Sequence, residues 1–168
     1  MRTTLTTLFL ICSLATAQAP SFTPFGTGCT LGSQTLAIGN QGLPRIGTTF
    51  RITYSGPNFT FNSGQQIAQP TLGLGFQALT TVLPQSLLPQ QPAGCLGFIV
   101  PVAMVTTAMD PVLPQFDDFV DIVLPNDPGL VGVQVLAQWL TLFQQCGFAG
   151  CGLAAALTSD AAVATIGL

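Results

Sequence analysis

Apolar and polar residues alternate along several short segments of this chain, as they do in strands that bury one face. In the clearest segment, 48–54, Phe50, Ile52 and Tyr54 are separated by threonines and an arginine. Period-two alternation places these three side chains on one face of a strand. Segment 119–124 alternates in the same way, and runs with strand character predict further strands at 34–38, 71–79, 96–100, 102–106 and 162–166.

Glycine and proline separate these segments at short intervals. Pro101 divides 96–100 from 102–106, three prolines make 82–92 a loop, and Asn126-Asp127-Pro128-Gly129 is a strong turn signal. Such punctuation is typical of a protein built from many short strands.

The segment 131–143 fits two templates. Gln134, Gln138 and Thr141 recur at helical spacing, whereas alternate residues from Val131 to Trp139 form a continuous apolar face. The β-branched valines and the preceding turn favour a strand. With many short strands and no long helix, the sequence predicts an all-β, antiparallel β-sandwich of the Greek-key or jelly-roll kind.

The N-terminus has the layout of a secretory signal peptide. Arg2 gives a positively charged start, 5–14 is apolar, and small residues follow as far as Ala19. Cleavage after Ala17 is favoured, because cleavage after Ala19 would leave Pro20 at the new N-terminus. The apolar run is roughly half of what spans a bilayer.

The predicted organisation is therefore a signal peptide at 1–17, with an alternative cleavage after residue 19, and one sandwich domain at 18–168. We expect a secreted protein, extracellular or on the cell surface, without a membrane span once the signal is removed.

Charge narrows the possible functions. The chain has three arginines, six aspartates, a formal net charge of −3, and neither histidine, lysine nor glutamate. Without clustered cations, a nucleic-acid partner is excluded. Without histidine or lysine to activate a hydroxyl, nucleophilic catalysis is disfavoured. The sequence therefore predicts a protein that is not an enzyme, and it assigns no catalytic or cofactor-binding residue.

Four cysteines lie beyond the predicted signal peptide: Cys29, Cys95, Cys146 and Cys151. An even count in an exported chain predicts two disulfides. The glycine-bearing loop between Cys146 and Cys151 can close on itself, which leaves Cys29–Cys95 as the second pair. A metal site is disfavoured, because the chain has no C-x-x-C pair and no histidine.

The aspartates offer the main candidate chemistry. Asp110, Asp117, Asp118 and Asp121 cluster around a proline-bearing stretch, and calcium takes oxygen ligands from such loops. The D-x-D-x-D-G pattern is missing, so a solvated acidic loop is the preferred interpretation. Calcium is the only cofactor that the sequence raises.

Two aromatic residues are candidates for stacking on sugar rings. Tyr54 and Trp139 combine an apolar ring with a polar atom, which suits glycan recognition. Trp139 lies on an otherwise apolar face, however, so a place in the core is favoured.

Several short motifs follow one another along the chain: TPFGTGC (23–29), GLPRIGTTF (42–50), Gly94-Cys95, LPNDPGLVG (124–132), AQW (137–139), LTSD (157–160) and TIG (165–167). Their order resembles a family of uncharacterised secreted proteins and C-terminal β-sandwich domains abundant in planctomycete-type bacteria. The resemblance implies export, a β-sandwich and a cysteine pair matching Cys29 and Cys95. It implies no activity, and the chain departs from the family pattern at 144–151.

These observations together predict a non-enzymatic secreted or cell-surface β-sandwich with a structural, adhesion or assembly role. The partner would be an extracellular protein or a glycan surface. The alternative is an extracellular binding module for glycans or another neutral ligand.

Overall fold

The computed structural model describes residues 18–31, 34–56, 65–83, 95–107, 117–147 and 150–168. A short 3-10 helix lies at Pro128–Leu130. None of the helices in these ranges is long and apolar enough to cross a membrane. The strands are β1 (Ser21–Phe25), β2 (Thr30–Leu31), β3 (Gln34–Thr35), β4 (Ala37–Gln41), β5 (Thr49–Ser55), β6 (Gln65–Val82), β7 (Leu96–Thr106), β8 (Asp117–Val123), β9 (Gln134–Gly147) and β10 (Gly150–Thr165).

Two antiparallel sheets pack against each other. The larger sheet has the order β1-β10-β9-β6-β7, and the smaller has the order β4-β5-β8. β2 and β3 form a separate short ribbon. The predicted all-β sandwich is therefore confirmed.

The core lies between the two sheets, and β5 shows why the alternation in the sequence was informative. Phe50, Ile52 and Tyr54 are buried, whereas Thr49 and Ser55 at the ends of the strand are exposed. Burying a side chain of this size contributes about 1.5–3 kcal/mol, so three in a row fix which face of β5 points inward.

The segment that fitted two templates is a strand. β9 occupies the middle of the larger sheet, between β10 and β6. Trp139 of β9 is fully buried, and its Nε1 donates to the Thr53 carbonyl oxygen over 3.0 Å. Thr141 Oγ1 donates to the Tyr54 hydroxyl over 3.0 Å. Both bonds join one sheet to the other, so β9 positions β5 as well as filling the core.

A disulfide and a buried amide tie the beginning of β7 to Cys29 and to β9. Cys95 is bonded to Cys29, as predicted. Gln138 Nε2 donates to the carbonyl oxygens of Leu96, at 3.1 Å, and Ser159, at 2.8 Å, and Gln138 Oε1 accepts the Phe98 N–H at 2.8 Å. A buried amide is tolerated here because its donors and acceptor are satisfied.

Three expectations about the strands were wrong or incomplete. Pro101 does not divide its segment, because β7 runs continuously through it at the edge of the sheet, where a missing N–H is tolerated. The last strand, β10, begins at Gly150 rather than near residue 162. β1 was not predicted, and it pairs with β10 despite containing Pro24.

Candidate functional site

The outer face of the smaller sheet carries a compact group of charged and aromatic side chains. Register places Arg51 opposite Asp121 and Thr53 opposite Phe119. Arg51 donates to both carboxylate oxygens of Asp121, from Nε at 2.7 Å and from Nη2 at 3.0 Å. Its guanidinium carbon lies 3.5 Å from the centre of the Phe119 ring. Arg51 is therefore held in one orientation by an ion pair and a cation–π contact.

This ion pair also sets the electrostatics of the face. Hydrogen bonding from Arg51 lowers the pKa of Asp121, and the same bond raises the pKa of Arg51. The two charges cancel locally, so this part of the surface offers little net charge to an ionic ligand. Both partners are exposed, and pairs of this kind add little to stability.

A shallow depression of about 300 Å³ lies beside the pair. Its polar groups are hydroxyl, amide, guanidinium and carboxylate groups, which can donate to and accept from the hydroxyl groups of a ligand. The lining residues are Gln41, Arg51, Thr53, Tyr54, Ser55, Asp118 and Phe119.

The aromatic residues expected to stack on sugars are in the core instead. Tyr54 and Trp139 are buried and meet edge to face, with ring centres 5.5 Å apart. Burial raises the pKa of Tyr54 to about 12, so its hydroxyl stays protonated at neutral pH. Phe119, which the sequence did not single out, is the exposed aromatic side chain of the depression.

The candidate calcium ligands are only partly described. Asp118 and Asp121 lie on opposite faces of β8, because residues three apart in a strand point to opposite sides. Asp118 accepts hydrogen bonds from Thr107 Oγ1 and from the Phe119 N–H. Among the described residues, no group of three acidic or thiol side chains converges on a point. Asp110 and the side chain of Asp117 lie outside the described part, so calcium binding stays a prediction.

The second predicted disulfide also stays a prediction. The backbone register places Cys151 directly opposite Cys146 in the β9–β10 pair. Directly opposed positions in antiparallel strands bring Cβ atoms within about 4.5–5.5 Å, close to the range that a disulfide needs. The side chains of both cysteines lie outside the description.

Asp160 is a half-buried carboxylate with a structural role. Its Oδ1 accepts the Ile38 N–H over 2.7 Å and so ties β10 to β4. Burial raises the pKa of Asp160, and hydrogen bonds from the backbone oppose this shift without cancelling it. The folded protein therefore holds this proton more tightly than the unfolded chain does.

The sign of this shift gives a pH prediction. Because the folded-state pKa is raised, the stability that protonated Asp160 contributes is present below the unfolded pKa and is lost as pH rises through the folded pKa. We expect Asp160→Asn to keep the acceptor for Ile38 and remove this pH dependence. As the pH rises from 3 to 7, the free energy of unfolding of Asp160→Asn should increase relative to that of wild type. Urea denaturation at each pH measures this difference.

Asp160→Ala is the matched control, because it removes both the charge and the acceptor. Loss of the bond to Ile38 should cost about 1 kcal/mol. A difference between Asp160→Asn and wild type that does not change with pH would contradict the assignment.

The described structure leaves the larger sheet with an open edge at β7. Residues 101–106 of β7 are all exposed, including Val102 at 68% and Met104 at 55%. In the described part of the chain β7 pairs only with β6. Unpaired N–H and C=O groups on such an edge can accept another strand.

Exposed apolar side chains also lie on the end of β6. Phe76, Leu79 and Val82 are exposed, and this end of β6 lies beyond its pairing with β9, which stops at Gly75. We call Phe76–Val82 of β6 and 101–106 of β7 the β6–β7 edge surface. Segment 101–106 is β-prone and uncharged, which is compatible with an exposed edge strand. The same pattern fits a strand that is buried in the core equally well.

The β6–β7 edge surface has the chemistry of a protein contact. Large exposed apolar patches mark interaction sites, and an edge strand adds main-chain hydrogen bonds to apolar contact. The smaller sheet offers polar groups to a small ligand, whereas the edge surface offers backbone and apolar groups to another chain. No protein-family model, curated protein or solved structure matches this chain.

Proposed function

We propose that this protein is a non-enzymatic, secreted or cell-surface β-sandwich whose role is structural, in adhesion or assembly. The observation that carries the proposal is the β6–β7 edge surface, where an uncharged edge strand exposes Val102 and Met104. Strand addition at a sheet edge is a general mode of protein association. The signal-peptide pattern and the Cys29–Cys95 disulfide support an extracellular setting.

Composition supports the non-enzymatic part of the proposal. Proton transfer in enzymes is most often assigned to histidine, glutamate, aspartate or lysine, and aspartate is the only one of these in the chain. The described aspartates make structural contacts: Asp121 pairs with Arg51, Asp160 holds Ile38, and Asp127 accepts the Gly129 N–H at 2.8 Å. Membership in the secreted planctomycete-type family belongs to this proposal and is supported by the order of the sequence motifs.

A second candidate function is the binding of a glycan or another neutral ligand, and the depression beside Phe119 favours it. Arg51 is already oriented by Asp121, so its remaining N–H groups can face a ligand without further ordering. Gln41 and Ser55 line the same depression.

One experiment tests both candidates. The full chain is expressed with either Met104→Lys or Phe119→Ala, and the protein retained in the cell-surface and matrix fraction is compared with the protein free in the medium. We expect Met104→Lys to release most of the retained protein, because a charge at the centre of the edge opposes strand addition. We expect Phe119→Ala to be retained like wild type.

The reverse result would replace the proposal with the second candidate. Release by Phe119→Ala, together with release of wild type by a soluble oligosaccharide, would assign the function to the depression. Equal retention of wild type and Met104→Lys would overturn the assembly role of the edge. Thermal melting of each purified variant checks that it is folded.

A further inference from the structure

The outer edge of β7, which is unpaired in the described part of the chain, is complementary to itself, and we propose that two copies of this chain pair along it. The two β7 strands would run antiparallel over residues 102–106 and join two five-stranded sheets into one. This inference rests on the proposed assembly function and names its partner, a second copy of the chain.

Two features of the structure define the length of the contact. Pro101 has no N–H to give to a partner strand, so pairing begins after it. β7 ends at Thr106, and the next residue, Thr107, is half-buried, with its N–H and its Oγ1 both donating to the Pro70 carbonyl oxygen, at 3.1 and 3.2 Å. The residues of β7 that can pair with a partner strand are therefore 102–106, and the central residue is Met104.

Charge favours a second copy as the occupant. Neither β6 nor β7 contains a charged residue, so two copies meet at this edge without like charges facing each other. Like charges placed directly opposite destabilise a strand pair. A charged partner strand would find no opposite charge on this edge.

The nearest acidic group decides the direction of pairing. Asp118 contacts Thr107, just beyond one end of 102–106. In a parallel pair the Asp118 residues of both copies would lie at the same end. In an antiparallel pair centred on Met104 they lie at opposite ends, roughly 20 Å apart at about 3.4 Å per residue, which exceeds the Debye length at physiological salt.

Antiparallel pairing about Met104 also matches the side chains. It places Met104 opposite Met104, Val102 opposite Thr106, and Ala103 opposite Val105. Alternation places Ala103 and Val105 on one face of the strand and Met104 on the other, and Val102 lies at the register shift next to Pro101. The contact would therefore cover apolar side chains on both faces and satisfy main-chain groups of the open edge.

The test uses complementary charges at the centre of the contact. Purified full-length Met104→Lys, Met104→Glu and an equimolar mixture are compared with wild type by analytical ultracentrifugation over a range of concentrations. We expect wild type to form dimers, and each single variant to dimerise at least about tenfold more weakly, because like charges face each other at the two-fold axis. The mixture should regain dimers that contain one copy of each variant.

Val123→Lys is the matched control, because Val123 is an apolar strand residue that is 74% exposed on β8 of the smaller sheet, outside the β6–β7 edge surface. It should dimerise like wild type. Monomeric wild type at every concentration, or a mixture that stays monomeric, would overturn self-pairing. If wild type is monomeric but Met104→Lys is still released from the surface fraction, self-pairing fails and the assembly function stands with a different partner.

Discussion

Trp139→Ala should remove a large share of the stability of this domain. Truncation of a buried tryptophan costs about 3–5 kcal/mol, from lost burial and from the cavity left behind. Here the indole also donates to the Thr53 carbonyl oxygen, so truncation takes away a bond between the two sheets. Domains of ordinary size are stable by about 5–15 kcal/mol, which makes this loss a large share of the total.

Two variants separate the contributions of burial and hydrogen bonding. Trp139→Phe keeps an aromatic ring against Tyr54 but loses the donor to Thr53, so it should cost less than Trp139→Ala. Val123→Ala removes a similarly apolar but exposed side chain, and it should change the free energy of unfolding by less than about 0.5 kcal/mol.

Chemical denaturation followed by far-UV circular dichroism measures all three variants, because the chain has a single tryptophan and fluorescence would lose its probe. A cost below about 1 kcal/mol for Trp139→Ala would place this residue outside a sealed core and contradict the packing.

Alternation predicted the strands that bury one face and expose the other. β5 is such a strand. The apolar face of 131–143 also identified β9, although Leu136–Trp139 of that strand are buried on both faces. In β10 this signal is missing, because Leu157, Thr158 and Ser159 are consecutive and all buried. A strand covered on both faces has no polar side to mark it, and the alanines of β10 are small enough to pack there.

The surfaces were harder to predict than the core. Val102 and Met104 lie in an apolar run that hydropathy assigns to the interior, and only the sheet order shows that β7 is at an edge. Asp118 and Asp121 are three residues apart, a spacing that suggests a cluster until the strand places them on opposite faces. Which residues meet at a surface depends on pairing between distant segments, and local sequence does not encode that pairing.

The disulfide between Cys29 and Cys95 should account for a second large part of the stability. It connects residues 66 positions apart in the sequence. Closing a loop of that length in the unfolded chain gives about 4 kcal/mol in the chain-entropy model. Cys29→Ala/Cys95→Ala should therefore lower the free energy of unfolding by about that amount, measured by denaturation without reductant.

Removal of the Cys29–Cys95 disulfide should also weaken the attachment of the start of β7. Cys95 directly precedes β7, and Leu96 accepts hydrogen bonds from Gln138 and from Thr158 Oγ1, the latter at 2.7 Å. Without the disulfide, the start of β7 is held by these hydrogen bonds and by packing of Phe98. We therefore expect backbone amides of β7 to exchange faster with solvent in the double variant, while those of β5 and β9 lose protection only through global unfolding.

The predicted Cys146–Cys151 bond supplies the matched comparison. Its loop is short, so the same model gives only about 2 kcal/mol for Cys146→Ala/Cys151→Ala. The test is which of the two double variants loses more free energy of unfolding. If removal of the short loop costs more than removal of Cys29–Cys95, or if Cys29→Ala/Cys95→Ala unfolds at the same denaturant concentration as wild type, the long-range bond does not hold β7 on the sheet.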